Sequence, residues 1–194
     1  MCAYTRSVDE TRALAAALAG VVQAGDLILL AGDLGAGKTA FVQGLGRGLG
    51  VTEPITSPTF TLEQRYDSDP PLHHLDVYRL EQLSEVLDLG LSELLDDGGV
   101  VVVEWGDAVV PVVPNDYLKV RLTIGETVDD RVITFRSVGS SWTERAFALA
   151  DATAPWRDTP DAPDGAVDAA DARNGRDGGS GEGGEGGEGG SAPC

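Results

Sequence analysis

The stretch Gly32-Asp33-Leu34-Gly35-Ala36-Gly37-Lys38-Thr39 limits what this chain can fold into more than any other. Its spacing, glycine, four residues, glycine, lysine, threonine, is that of a loop that wraps backbone N–H groups around phosphate. Such a loop works only between a buried strand that delivers it and a helix whose positive N-terminal end faces the ligand. Both neighbours can be read in the sequence. Asp26 to Ala31 is a short apolar run leading into the loop, and Lys38 to Leu49 reads as a helix stopped at Gly50. Asp33, Leu34, Gly35, Ala36 and Gly37 supply the backbone of the cradle. Lys38 can neutralise the outer phosphate oxygens, and the Thr39 hydroxyl can ligate Mg²⁺. A nucleoside triphosphate with Mg²⁺ is the ligand this chemistry takes.

The other elements follow from periodicity. Ser7-Val8-Asp9-Glu10 has capping-box spacing, and alanines and leucines then predict a helix from Val8 to Val22. Thr59 to Tyr66 and Leu72 to Val77, separated by Asp67-Ser68-Asp69-Pro70-Pro71, read as a hairpin. Leucines at helical spacing run from Leu83 to Leu95, and Val100 to Val103 is a continuous β-branched run suited to a strand covered on both faces. Lys119 to Ile124 and Arg131 to Arg136 alternate as a second hairpin, and Ser141 to Ala150 closes with a helix. The pattern predicts an α/β class, three-layer P-loop NTPase-like domain over residues 1–150, in which a parallel core is extended by antiparallel pairs into a mixed sheet.

Beyond that point the composition changes. Residues 151–194 are rich in Asp, Ala, Pro and Gly and include Gly-Glu-Gly repeats; they hold ten acids against three arginines. So few apolar groups cannot offset the entropy of ordering, which predicts a disordered, acidic C-terminal tail. The remaining body is acidic on its own account, since the whole chain carries -18. That charge argues against a direct grip on nucleic acid, so any tRNA would be held by a partner. Cys2 and Cys194, at the extreme ends, form no disulfide framework and read as incidental thiols. The N-terminus lacks a basic start followed by an apolar run, and no apolar stretch approaches the roughly 18 residues that span a bilayer. The expected setting is the cytoplasm, away from membranes.

A nucleotide site also needs an acid near the metal, commonly at the end of a buried strand beside the loop strand. Glu104, directly after Val100 to Val103, is placed there. Thr56-Ser57-Pro58-Thr59 offers hydroxyls in a segment whose prolines keep it out of a helix. In His73-His74-Leu75-Asp76-Val77-Tyr78-Arg79 the strand period puts His74, Asp76 and Tyr78 on one face, and two adjacent histidines, on opposite faces, make no metal cluster.

Gly32 to Thr39, Ser57 to Leu62 (SPTFTL), His74 to Leu80 (H-x-D-x-Y-R-L) and Glu104-Trp105, in this order, closely resemble the bacterial ATPase family of tRNA threonylcarbamoyladenosine synthesis, known as TsaE, from about Ser7 to Val138. The resemblance implies a small Mg²⁺-dependent ATPase, weak alone. It would assist a transferase complex of TsaB-type and TsaD-type proteins that modifies adenosine 37 of tRNAs reading codons that begin with A. It places ATP on the loop, Mg²⁺ on Thr39 and Glu104, and a functional acid at Asp76, with Thr59 in the switch segment. Trp105 would cover the site, and Glu10-Thr11 with Asp9 would belong to the adenine pocket. Ala40 stands where many members have a second threonine, and Gly106 where a proline often follows. Two other readings start from the loop. A small-metabolite kinase would carry an arginine-bearing lid, and the arginines and lysines here are scattered. A GTP switch or other nucleotide-gated binding module would commonly carry Asn-Lys-x-Asp, which is lacking.

Overall fold

A computed structural model of the protein describes residues 1–78 and 90–157. The expected helix over Leu83 to Leu95 falls mostly outside these residues, as do Arg79, Leu80 and the acidic tail. The described residues all lie in the first of two units, Met1–Thr159. In chain order its strands are β1 (Cys2–Thr5), β2 (Leu27–Ala31), β3 (Glu63–Tyr66), β4 (Leu72–Asp76), β5 (Val100–Glu104), β6 (Tyr117–Ile124) and β7 (Arg131–Val138). The helices are α1 (Val8–Leu18), α2 (Lys38–Gly48), α3 (Leu91–Asp96), α4 (Ser140–Glu144) and α5 (Ala146–Ala152).

The strands form one sheet ordered β1-β7-β6-β2-β5-β4-β3. β2 runs parallel to β5 and β6, and β4 parallel to β5, whereas β1–β7, β6–β7 and β3–β4 are antiparallel. Every residue of β2, β4 and β5 is buried; the apolar runs of β2 and β5 suit strands covered on both faces, whereas β4 buries His73, His74 and Asp76. Alternation along β2 divides its side chains between two cores. Ile28 and Leu30 pack with Leu14 and Leu18 of α1, Phe41 and Leu45 of α2, and Trp142 and Leu149 of α4 and α5. Leu27 and Leu29 pack on the other side with Leu91 of α3, Val109 and Val113. Helices and loops on both faces of a mixed sheet give the expected three layers.

The α1–α2 contact depends on missing side chains. A Cβ on Gly44 would lie 2.2 Å from the Arg12 carbonyl oxygen, and one on Gly48 would lie 2.5 Å from that of Ala16. The backbones therefore approach as only glycine permits. Ser7 Oγ accepts from the Glu10 amide at 3.1 Å, as capping requires, while Glu10 returns to the amide of Arg6 rather than that of Ser7.

Several boundaries differ from expectation. α1 ends at Leu18, not Val22, because Val21 and Val22 turn back onto the Leu18 carbonyl. β3 starts at Glu63, not Thr59: the amides of Thr61 and Leu62 both bond to the Pro58 carbonyl, so that part is a tight turn. The last helix breaks at Arg145, whose guanidinium reaches the Asp26 carboxylate with two bonds of 2.6 Å. Structure continues past residue 150 through the end of α5 to a turn at Ala154–Trp156. β1 was not legible in sequence, being four residues long and defined by its partner β7. Cys2, in β1, is disulfide-bonded rather than a thiol. Among the described residues, no helix is long and apolar enough to cross a membrane.

Candidate functional site

Strand register assembles the site. Leu30 of β2 pairs with Glu104 of β5, and Glu104 pairs with Asp76 of β4. Two acids 28 positions apart in the sequence thus stand side by side at the carboxyl ends of parallel strands, beside the point where β2 runs into the glycine loop. Open α/β sheets hold their ligands at that edge.

Gly32 and Gly37 let the loop close. Gly32 has φ 142° and no room for a side chain, since a Cβ would meet the Leu122 carbonyl oxygen at 2.4 Å. Gly37, at φ 103°, turns the chain into the first turn of α2. Lys38 folds back across the loop, where its Nζ donates to the carbonyls of Gly32 (2.8 Å) and Asp33 (2.9 Å) and sits 3.6 Å from the centre of the Trp105 ring. Burial lowers the Lys38 pKa below its ordinary value, against the opposite pull of Glu104, Asp76 and Asp33. A buried cation held by weak, replaceable partners is well suited to receive an anion.

Thr39 Oγ1 donates to Glu104 Oε1 at 2.8 Å, and the same oxygen meets His74 Nε2 at 2.9 Å. Glu104 and His74 are both buried. An ionised carboxylate only accepts, so His74 Nε2 carries the hydrogen, and Nδ1 is left with no partner. The hydroxyl and carboxylate oxygens are hard donors of the type Mg²⁺ takes. Among the described residues there is no group of three or more His, Cys, Asp or Glu placed to hold a metal. An ion at Thr39 and Glu104 would complete its shell with phosphate oxygens and water, which is how Mg²⁺ is commonly held.

Asp76 Oδ2 accepts from Ser57 Oγ (2.5 Å) and Thr59 Oγ1 (2.9 Å), and these hydroxyls lie 2.7 Å apart. Two hydroxyl protons serve three contacts, so one contact always lacks a proton and either hydroxyl can turn to a new acceptor. Asp76 Oδ1 accepts from the Tyr78 amide at 3.1 Å. Trp105 adopts φ 63°, an uncommon conformation for a non-glycine residue, and its ring packs 4.8 Å from that of Tyr78.

These residues surround a cleft of about 400 Å³ lined by Leu34, Gly35, Gly37, Lys38, Thr39 and Ala40 of the loop and helix, with Ser57, Thr59, Asp76, Tyr78, Glu104 and Trp105 opposite. Asp33 presents its carbonyl to Lys38, and Ala36 is buried behind the loop. Asp9 and Thr11 are placed differently. Asp9 pairs with Arg12 at the surface of α1 (2.8 Å), and the buried Thr11 hydroxyl bonds to Thr5 (2.7 Å). Sequence reading left His74 out of the ligand set and missed Arg131 altogether, whose guanidinium reaches the carbonyls of Gly35 and Ala36. His74 shares a strand face with Asp76, which was the available signal; Arg131 offered none.

Comparison with known proteins finds relatives of one family. A family model described as "Threonylcarbamoyl adenosine biosynthesis protein TsaE" matches residues 5–133. A tRNA threonylcarbamoyladenosine biosynthesis protein TsaE of Bacillus subtilis is 42% identical over 139 residues, covering 71% of this chain and 86% of its own. A protein of the same name from Streptomyces coelicolor is 44% identical over 138 residues, covering 68% and 93%. The crystal structure of Bacillus subtilis YdiB superimposes with a TM-score of 0.68 at 35% identity, over 78% of this chain and 94% of that one.

Proposed function

The chain belongs to the TsaE family of tRNA threonylcarbamoyladenosine biosynthesis proteins, and from that premise we propose that it is an ATPase accessory to the transferase complex. It binds ATP with Mg²⁺ in the cleft above the carboxyl ends of β2, β4 and β5. It supports attachment of the threonylcarbamoyl group to adenosine 37 of tRNAs reading codons that begin with A, together with TsaB-type and TsaD-type proteins in the cytoplasm. It reaches tRNA through those partners, a division of labour its net charge of -18 favours.

The observation that carries this reading is the 2.8 Å bond from Thr39 Oγ1 to Glu104 Oε1, which ties the first turn of the loop helix to a buried acid on the neighbouring strand. Thr39 and Glu104 are the two protein oxygens that would hold Mg²⁺, which when bound neutralises charge on the phosphate oxygens. Lys38 exchanges its two loop carbonyls for phosphate oxygens. His74 holds Glu104 in place by its 2.9 Å bond. Asp76, through Ser57 and Thr59, accepts from and orients the attacking water. Trp105 lines the cleft beside Lys38 and limits the entry of other water.

Asp76 keeps contacts with both switch hydroxyls, so the isolated chain turns over slowly until a partner reorders that segment. Addition of the partner proteins should therefore accelerate ATP hydrolysis; a partner-supplied arginine alone contributes about 10³-fold or more in comparable enzymes. Reconstitution with the partners, tRNA and a threonylcarbamoyl donor, scoring modified tRNA per ATP hydrolysed, tests the reading. Lys38→Ala should stop modification, and normal modification by that variant would sink the nucleotide role.

A further inference from the structure

Arg131, the first residue of β7, donates to four backbone carbonyls. Its Nε reaches Ala36 O at 2.8 Å, Nη2 reaches Gly35 O at 3.2 Å, and Nη1 reaches Val128 O and Asp130 O at 2.8 Å each. The last two belong to the β6–β7 turn, so one guanidinium clamps the phosphate-binding loop to the hairpin 95 residues away. On the other side of the loop, Lys38 holds the carbonyls of Gly32 and Asp33.

The consequence follows from peptide geometry. A trans peptide is planar, so a carbonyl and the N–H that follows it point in opposite directions. Pinning the Ala36 oxygen to Arg131 aims the Gly37 N–H away from the guanidinium, and Gly37 lines the cleft. The preceding unit is fixed at both ends, its oxygen by Arg131 and its Ala36 N–H by the Asp33 carbonyl at 3.1 Å. The guanidinium lies directly behind the glycine, where a Cβ on Gly37 would stand 3.9 Å from Arg131 Nε. A planar fork of donors can hold adjacent carbonyls in this way, whereas a lysine ammonium offers only a point charge.

We infer that Arg131 is the positioning residue of the phosphate-binding loop, setting the Gly37 N–H toward the cleft before any ligand arrives. The inference rests on the nucleotide reading above. Arg131 lies behind the loop and acts through the loop peptides. Its contribution is preorganisation, because a loop whose peptides are already turned loses less entropy on taking a phosphate.

The test uses the full chain with Mg²⁺ and ATP, comparing the parent with Arg131→Lys and Arg131→Met by calorimetric titration. Both variants should bind ATP about tenfold or more weakly, as loss of charge-assisted bonds to the loop implies, and both should melt near the parent without nucleotide. Binding of ATP by both variants as tightly as by the parent overturns the inference. So does weak binding by Arg131→Met alone, which would reduce the role to charge. A second measurement is made on the unaltered chain: the Gly37 amide resonance should move when ATP is added. A Gly37 resonance unmoved while ATP binds would refute the inference even if a variant failed to fold. Failure of the parent to bind ATP would instead overturn the nucleotide reading, and the inference with it.

Discussion

Lys38 carries its charge where burial disfavours it, and that has a measurable sign. Its pKa is lowered on folding, so the charged form opposes folding below the folded-state pKa, and the opposition lifts as pH rises toward the ordinary 10.5. Lys38→Met should therefore melt no lower than the parent at pH 7 without nucleotide, with the difference narrowing near pH 10.5, while ATP binding is lost. A clear drop in melting temperature at pH 7 would give Lys38 a structural role instead. Glu104→Gln keeps the shape of the side chain and can still accept from Thr39 and His74, but it removes the negative charge. It should raise the Mg²⁺ needed for half-maximal ATP binding by about tenfold or more, with little change in metal-free nucleotide binding. An unchanged metal titration would reassign the ligand. Lys38, Thr39 and Glu104 were legible because each is defined by residues next to it. The Ser57, Thr59 and Asp76 hydrogen bonds were not, because they close only when β4 and the switch turn meet.

At the scale of elements, the α1–α2 pair shows how much a small residue decides. Gly44→Ala would drive a methyl into the Arg12 backbone, and flexible side chains cannot absorb that clash. Overpacking of this kind costs about 1–3 kcal/mol, which chemical denaturation should read directly. Gly20→Ala is the matching control, since its nearest neighbour would be 3.8 Å away. Strands β2 and β5 and helix α2 were legible because apolar runs and glycine stops are local signals. β1 was not, because four residues pair only through β7. β3 starts later than alternation predicts because Pro58 captures two amides that alternation alone would assign to a ladder. The break in the last helix has no local signal, because nothing near Arg145 announces Asp26, 119 residues away, as its partner.

For the whole molecule, the body extends beyond residue 150: Thr153 is fully buried, and Trp156 packs on the core. A chain truncated after Arg157 should bind ATP within about twofold of the full chain. One truncated after Ala150 should melt below the Arg157 truncation, because it loses the end of α5 and those contacts; equal melting would show that the segment adds nothing. The sequence by itself determined that a strand, a glycine loop and a helix would present a phosphate cradle, and that Glu104 would end a buried strand, since period and spacing are properties of short segments. Only the tertiary structure decided which distant groups complete the cradle. His74 reaches Glu104 through the β4–β5 register, and Arg131 reaches the Gly35 and Ala36 carbonyls across the molecule. Hydrogen bonds between residues far apart in the chain are made by packing and pairing, and no local pattern records them.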